Sequence, residues 1–141
     1  MTFDQLFVSK KLKDIEGYIE EVKVDVLTFS DEEILENKGR MHIAERLAQL
    51  IVDAMLDINQ HIIKEKNLDI AEDFQGTFQI MAENKVLPED FAIRVAPVVS
   101  VRNRLVHGYE TLNKRLFVEK LRKHYGDFEE FAGYIKEYLE K

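Results

Sequence analysis

The residues with the clearest chemical potential lie in one stretch, Arg94 to Tyr109, which reads RVAPVVSVRNRLVHGY. Within it, Arg102 and His107 combine two useful side chains. Histidine transfers protons near neutral pH, and the arginine guanidinium binds anions without needing a metal. The pair would suit a reaction that moves a proton while negative charge builds on an anionic substrate.

Arg102 occupies an unusual place in the hydrophobic pattern of this stretch. At about 100° per residue, it falls within an apolar stripe on one side of a predicted helix. The apolar members of that stripe are Val95, Val98, Val99, Leu105 and Val106. Burying an unpaired guanidinium costs several kcal/mol, so Arg102 requires a carboxylate partner, a water-filled cleft or an anionic ligand. The structural alternative to a ligand site is an ion pair with Glu45, Asp53 or Asp57.

His107 does not share the direction of Arg102 on a straight helix. Five positions separate the two residues, which places them about 140° apart around the helix axis. They converge only if the arginine side chain bends around, if the helix unwinds at Gly108, or if two copies meet across a symmetric interface. A histidine near a helix end can also serve simply as a cap.

The spacing of these residues resembles that of a known family. Arg102, His107 and Tyr109 match the R-x4-6-H-x-Y motif of the HEPN superfamily, and RNRLVHGY looks like its HepT-like branch. The segments ERLAQLIVDAMLDINQHIIKEK and FQGTFQIMAENKVLPEDFAIRVAPVVSVRN are also similar to that branch. The resemblance covers approximately Arg40 to Leu121.

This resemblance implies a helical bundle that dimerises through the motif-bearing helix and acts as a metal-independent endoribonuclease toxin. Arg102 would bind the phosphate and its transition state, and His107 would be the acid and base. Asn103 would position His107 or the phosphate, while Tyr109 would stack on a base or control the site. Cleavage of single-stranded RNA through its 2'-hydroxyl needs these two functions and no cofactor.

The resemblance also implies a partner, a minimal nucleotidyltransferase antitoxin that adenylylates the motif tyrosine, here Tyr109. The added bulk and negative phosphate would oppose RNA binding in the same cleft. A non-catalytic helical module that binds a nucleotide or a nucleotidyltransferase is the alternative, because some members of the superfamily have that character.

Hydrophobic periodicity predicts the elements that carry these residues: an all-α, up-and-down bundle of about five helices in a single domain, residues 1–141. The first helix should end near Phe29, with a capping box at Ser30 and Glu33 opening the second. The second should run to about Lys66, with a potential break at Asn37 to Gly39. The third helix should begin at the Asp69/Glu72 pair and end near Lys85. The fourth should run from Pro88 to about His107 and stop at Gly108. The last helix has a potential restart at Asp127 and Glu130.

Composition restricts the class of protein. The 141 residues are 45% hydrophobic and 33% charged, include no cysteine, and carry a net charge of -7. Eight basic and two acidic residues lie between Arg94 and His124, whereas the rest carries 12 basic and 25 acidic residues. The acidic net charge favours a narrow cleft for single-stranded RNA over a broad duplex-binding surface, and the basic stretch could still contact a polyanion. We expect a cytoplasmic protein, because there is no apolar run of membrane-spanning length and no signal-peptide pattern.

Metal binding is the weaker chemical hypothesis for this sequence. A di-iron bundle needs Glu-x-x-His motifs on facing helices, and no such motif occurs. Asp57 and His61 are four residues apart and could share an ion, but two ligands without a third more often form a surface pair. We therefore expect no metal site.

Overall fold

The computed structural model describes residues 5–141. Over this range the chain forms α-helices and one short 3-10 turn, without β-strands. The prediction of an all-α bundle is confirmed. The elements are α1 (Gln5–Asp25), α2 (Asp31–Leu35), α3 (Lys38–Glu65), α4 (Gly76–Glu83), α5 (Glu89–Val95), α6 (Val98–Val106), the 3-10 turn (Tyr109–Thr111) and α7 (Lys114–Leu139).

Two interruptions raise the number of helices above the predicted five. The first lies at the break expected at Asn37 to Gly39: α2 ends at Leu35, and Asn37 caps the start of α3, where its side chain accepts a hydrogen bond from the Arg40 N–H at 3.0 Å. The predicted fourth helix is divided at Pro97, between α5 and α6. Proline cannot donate the backbone hydrogen bond that would continue a helix through this position.

Three predicted boundaries were wrong. Asp69 and Glu72 do not open a helix, because α4 begins only at Gly76, whose N–H donates to the Asp73 carboxylate at 2.7 Å. Asp127 and Glu130 do not restart a helix, because α7 is continuous through both. The first helix ends at Asp25 and is followed by a turn, four residues before the predicted end.

The capping box at the start of α2 is confirmed. The Glu33 N–H donates to Ser30 Oγ at 3.1 Å, and the Ser30 N–H donates to Glu33 Oε1 at 3.0 Å. We expect Ser30→Ala to lower the free energy of unfolding by about 1 kcal/mol, because one N–H at the helix start loses its acceptor. Urea unfolding measures this change. Ser30→Thr, which retains the hydroxyl, should cost less; equal losses in the two variants would contradict a role for the hydroxyl oxygen.

The central element of the bundle is α3, which packs against α1, α2, α4, α6 and α7. Its buried side chains join those of α1 and α7 in the hydrophobic core. By contrast, α6 buries only Val99 among its nine residues. Val98, Val101 and Leu105 on α6 are partly exposed, so the apolar face that carries Arg102 is incompletely covered by the chain itself.

Arg122 of α7 contacts the segment between α1 and α2. Its Nε donates to Asp31 at 2.8 Å, and its two terminal nitrogens donate to the carbonyl oxygens of Leu27 and Phe29. These three hydrogen bonds connect α7 to the first residue of α2 and to the turn that precedes it. None of the helices within residues 5–141 has the length and hydropathy needed to cross a bilayer.

Candidate functional site

Two acidic residues on one polar edge of α3 bind residues of the predicted site. Glu45 and Asp53 are eight positions apart, a spacing that places them on the same side of the helix two turns from each other. Asp53 accepts a hydrogen bond from Arg102, and Glu45 accepts one from Tyr109. The edge of α3 therefore supports both ends of the Arg102–Tyr109 segment.

Arg102 makes the ion pair that the sequence offered as a structural alternative. Its Nε donates to Asp53 Oδ1 at 2.7 Å, and the two side chains are 19% and 34% exposed. Its Nη1 donates to Asn103 Oδ1 at 3.2 Å, while the Phe74 ring centroid lies 5.9 Å from the guanidinium carbon. Within residues 5–141, Nη2 makes no hydrogen bond. The ion pair therefore orients the guanidinium without occupying all of its donors.

His107 lies at the end of α6 with an extended backbone, φ -129° and ψ 130°. Its N–H donates to the Asn103 carbonyl at 2.7 Å, which makes it the C-terminal cap residue of the helix. Gly108 follows at φ 76°, so the predicted left-handed stop is confirmed. The imidazole is exposed, and over the described range it has no hydrogen-bond partner. No hydrogen bond brings it to Arg102 within one chain.

Tyr109 begins the 3-10 turn and points back to α3. Its hydroxyl donates to Glu45 Oε2 at 2.6 Å, and the Lys114 ammonium lies 5.2 Å from the centroid of its ring. Glu45 itself is only 8% exposed. The hydrogen bond to Glu45, with burial and the negative charge of Glu45 adding to it, raises the pKa of Tyr109 to about 12.

This raised pKa predicts a pH-dependent contribution to stability. The native state favours the protonated phenol, so its contribution is complete below the usual tyrosine pKa of 10.0 and is lost as pH rises through about 12. Between pH 10 and 12, the wild-type protein should lose more free energy of unfolding than Tyr109→Phe. Urea unfolding across this range measures the difference. Parallel pH curves for the two proteins would show that the hydrogen bond does not affect the titration.

The basic residues near the motif are partly neutralised. Four of the eight basic residues between Arg94 and His124 form ion pairs with acidic side chains: Arg94, Arg102, Arg115 and Arg122. The other four make no ion pair with any described residue and are exposed: Arg104, Lys114, Lys120 and Lys123. The cationic surface available to a polyanion is therefore smaller than the sequence count indicated.

An open apolar pocket of about 320 Å³ adjoins Arg102. Its wall includes Val101 and Leu105 from α6 and reaches Lys120 and His124 on α7. The position of His124 near the motif was not predictable from the sequence, because α6 and α7 are brought together only by the tertiary fold. The pairing of Glu45 with Tyr109 was likewise not predicted, although the four-residue spacing of Glu45, Gln49 and Asp53 indicates a polar edge of α3.

The residues of the metal hypothesis have other contacts. Asp57 forms a 3.0 Å ion pair with Lys11, and His61 stacks on Phe7 with ring centroids 4.5 Å apart. Between residues 5 and 141, no three His, Cys, Asp or Glu side chains are grouped closely enough to hold an ion.

Two curated relatives resemble this chain in sequence. The mRNA nuclease HepT of Shewanella oneidensis is 31% identical over 88 residues, which span 62% of this chain and 66% of that protein. The tRNA nuclease HepT of Aphanizomenon flos-aquae is 30% identical over 111 residues, which span 78% of this chain and 74% of that protein.

Two solved structures share the fold. The cytosolic protein of unknown function YutE from Bacillus subtilis matches with a TM-score of 0.85 at 17% identity, over 98% of this chain and 92% of that one. The tri-AMPylated HEPN toxin of Shewanella oneidensis, solved in complex with MNT antitoxin, matches with a TM-score of 0.85 at 22% identity, over 95% and 98%.

A family model described as "Ribonuclease HepT-like" matches residues 12–135. The match includes both α3 and the Arg102–Tyr109 segment. The resemblance found in the sequence is confirmed. This chain belongs to the HepT-like ribonuclease family.

Proposed function

We propose that this protein is a metal-independent endoribonuclease that cleaves single-stranded RNA and serves as the toxin of a toxin–antitoxin pair in the cytoplasm. The family match and the relatives described as mRNA and tRNA nucleases support this proposal. The observation that carries it is the motif itself: Arg102, His107 and Tyr109 lie on one segment whose two ends are held by α3.

Arg102 is the proposed phosphate-binding group. Asp53 engages Nε and Asn103 engages Nη1, which leaves Nη2 to donate to a phosphate oxygen. A guanidinium that is already oriented loses less side-chain entropy when its ligand binds. Charge developing on the phosphorane during cleavage would then be stabilised without a metal.

His107 is the proposed proton carrier. Histidine changes its charge near neutral pH, and this imidazole is exposed and not engaged by another described side chain. It could take the proton of the ribose 2'-hydroxyl and return one to the leaving oxygen. Asn103, which contacts Arg102 through its side chain and His107 through its carbonyl, is the proposed positioning residue.

A homodimer is the proposed form in which Arg102 and His107 act together. The partly exposed apolar residues of α6 provide a face that a second copy can cover. Two antiparallel copies of this helix would bring the Arg102 side of one chain towards the His107 end of the other. The site would then be completed across the interface.

The proposed partner is a minimal nucleotidyltransferase antitoxin that adenylylates Tyr109. The fold neighbour from Shewanella oneidensis supports this idea, because that toxin is tri-AMPylated and bound to MNT antitoxin. AMP on Tyr109 would add bulk and a negative phosphate to the motif segment and oppose the binding of RNA there.

A second candidate is a non-catalytic module that binds a nucleotide or a nucleotidyltransferase. The Arg102–Asp53 ion pair favours it, because the pair gives the arginine a structural role. Such a module would bind AMP or the nucleotidyltransferase in titration calorimetry without cutting RNA.

The deciding experiment incubates the purified chain with fluorescent single-stranded RNA in excess EDTA. We expect cleavage at the same rate with and without the chelator, and little cleavage of a duplex of the same sequence. The Arg102→Ala/His107→Ala double variant is the control for contaminating nucleases. Loss of cleavage in EDTA would contradict metal independence, and absence of cleavage in either buffer would favour the non-catalytic module.

A further inference from the structure

We propose that Glu45 accepts the phenolic proton of Tyr109 when this tyrosine takes up a nucleotidyl group, so that the modified chain supplies its own base. The inference rests on the proposed modification of Tyr109. It assigns Glu45, a residue of α3 that is far from the motif in sequence, a role in the modification that would inactivate the site.

The contact between the two side chains has the geometry of a proton transfer. The Tyr109 hydroxyl donates to Glu45 Oε2 at 2.6 Å, a short distance within the range for an O–H donor and a carboxylate acceptor. Glu45 lies in the interior of the 28-residue helix α3 and is 8% exposed, so its position is well defined. The base is therefore already in contact with the proton that must leave.

The step balances as a nucleotidyl transfer. The phenolic oxygen of Tyr109 forms a bond to the α-phosphorus of ATP, and the bond from that phosphorus to the pyrophosphate oxygen breaks. Pyrophosphate leaves, and the phenolic proton passes to the Glu45 carboxylate. The resulting neutral carboxylic acid would sit beside the new phosphodiester without the repulsion that two adjacent anions would create.

The same contact makes a route through free phenolate slow. With a pKa of about 12, only about one Tyr109 in 100,000 is ionised at pH 7. A base that removes the proton as the oxygen attacks avoids the need to form phenolate first. The Lys114 ammonium lies 5.2 Å from the centroid of the Tyr109 ring.

A purely structural role does not require a carboxylate at this position. The carbonyl oxygen of a glutamine could accept the same hydroxyl hydrogen bond without a buried charge. No described residue forms an ion pair with Glu45, so its burial is not offset by a cation in direct contact. Proton acceptance gives the negative charge a function that packing alone does not.

The test measures AMP incorporation into full-length protein by mass spectrometry, with ATP, Mg²⁺ and the cognate nucleotidyltransferase. Glu45→Gln removes the base and keeps a hydrogen-bond acceptor. Glu130→Gln is the matched control, because Glu130 also accepts a tyrosine hydroxyl, that of Tyr134 at 2.9 Å. The ratio of variant to wild-type rate at each pH cancels ionisations that belong to the transferase.

We expect Glu45→Gln to slow modification about 100-fold at pH 7, with the ratio to wild type rising about tenfold per pH unit as phenolate becomes the nucleophile. Glu130→Gln should follow wild type. Glu45→Asp, which keeps a carboxylate, should be slowed less and show a ratio independent of pH; this variant also provides a test if Glu45→Gln does not fold.

The outcomes separate the inference from the function on which it depends. If wild-type Tyr109 receives no AMP, the proposed modification fails and the inference fails with it. If wild type and Glu45→Gln are modified at equal rates across the pH range, Glu45 is not the base, while modification of Tyr109 stands. RNA cleavage by unmodified protein is scored separately and is unaffected by either result.

Discussion

His107→Ala is expected to cleave single-stranded RNA roughly 100 to 10,000 times more slowly than wild type, the range typical of losing a general acid or base. The side chain is exposed and has no hydrogen-bond partner among the described residues, so its removal should leave the free energy of unfolding nearly unchanged. Single-turnover cleavage in EDTA measures the rate, and urea unfolding measures the stability.

His42→Ala is the matched control for this variant. His42 is also exposed, but it lies near the start of α3, outside the motif. The His42 variant should retain wild-type activity. Equal activity of the His107 variant and wild type would remove His107 from the chemistry and leave it as a helix cap.

Arg102→Ala is expected to reduce cleavage by about 100- to 1,000-fold, because the site loses the cation that stabilises charge on the phosphorane. Arg102→Lys should recover only part of the loss, since an ammonium cannot contact Asp53 and a phosphate with the same planar arrangement of donors. Single-turnover rates and RNA affinity, measured separately, distinguish transition-state stabilisation from substrate binding.

Arg115→Ala is the control for the effect of net charge on the rate of RNA cleavage. Arg115 forms a 2.6 Å ion pair with Glu32 on the exposed surface, so its removal changes the charge of the protein by the same amount. We expect the Arg115 variant to cleave RNA nearly as fast as wild type. Comparable losses in the two variants would indicate a general electrostatic effect in place of a specific role for Arg102.

Much of the fold follows from local sequence patterns. Hydrophobic periodicity predicted α1 and α3, and the capping box of Ser30 and Glu33 predicted the start of α2. These features are local, because a helix face and a capping box depend on residues within one or two turns. The stop at Gly108 was predicted for the same reason.

The wrongly predicted boundaries at Asp69 and Asp127 involve acidic residues that have the spacing of a helix cap but do not begin a helix in the fold. Asp69 and Glu72 have the spacing of a capping pair, yet the chain remains irregular until Asp73 accepts the N–H of Gly76. Asp127 likewise resembles a helix start but lies within α7, where it contacts Arg94 and His124. Tertiary packing decides such cases, and local spacing does not reveal it.

The site was predictable to a similar extent. The sequence offered Asp53, Glu45 and Asp57 as potential partners of Arg102, because all three acids lie on the neighbouring helix. The structure selects Asp53. The pairing of Tyr109 with Glu45 was not predicted, since the direction of the chain after the left-handed Gly108 depends on the whole fold. The catalytic roles of Arg102 and His107, and the dimer that would unite them, stay predictions.

Mixing two inactive variants tests most directly whether Arg102 and His107 act together across a dimer. Arg102→Ala and His107→Ala subunits are unfolded together, refolded at equal concentrations and assayed for RNA cleavage in EDTA. If each site takes its arginine from one chain and its histidine from the other, random pairing should restore about a quarter of the wild-type rate. A mixture as inactive as the separate variants, with mixed dimers shown to be present, would contradict a site shared between two subunits.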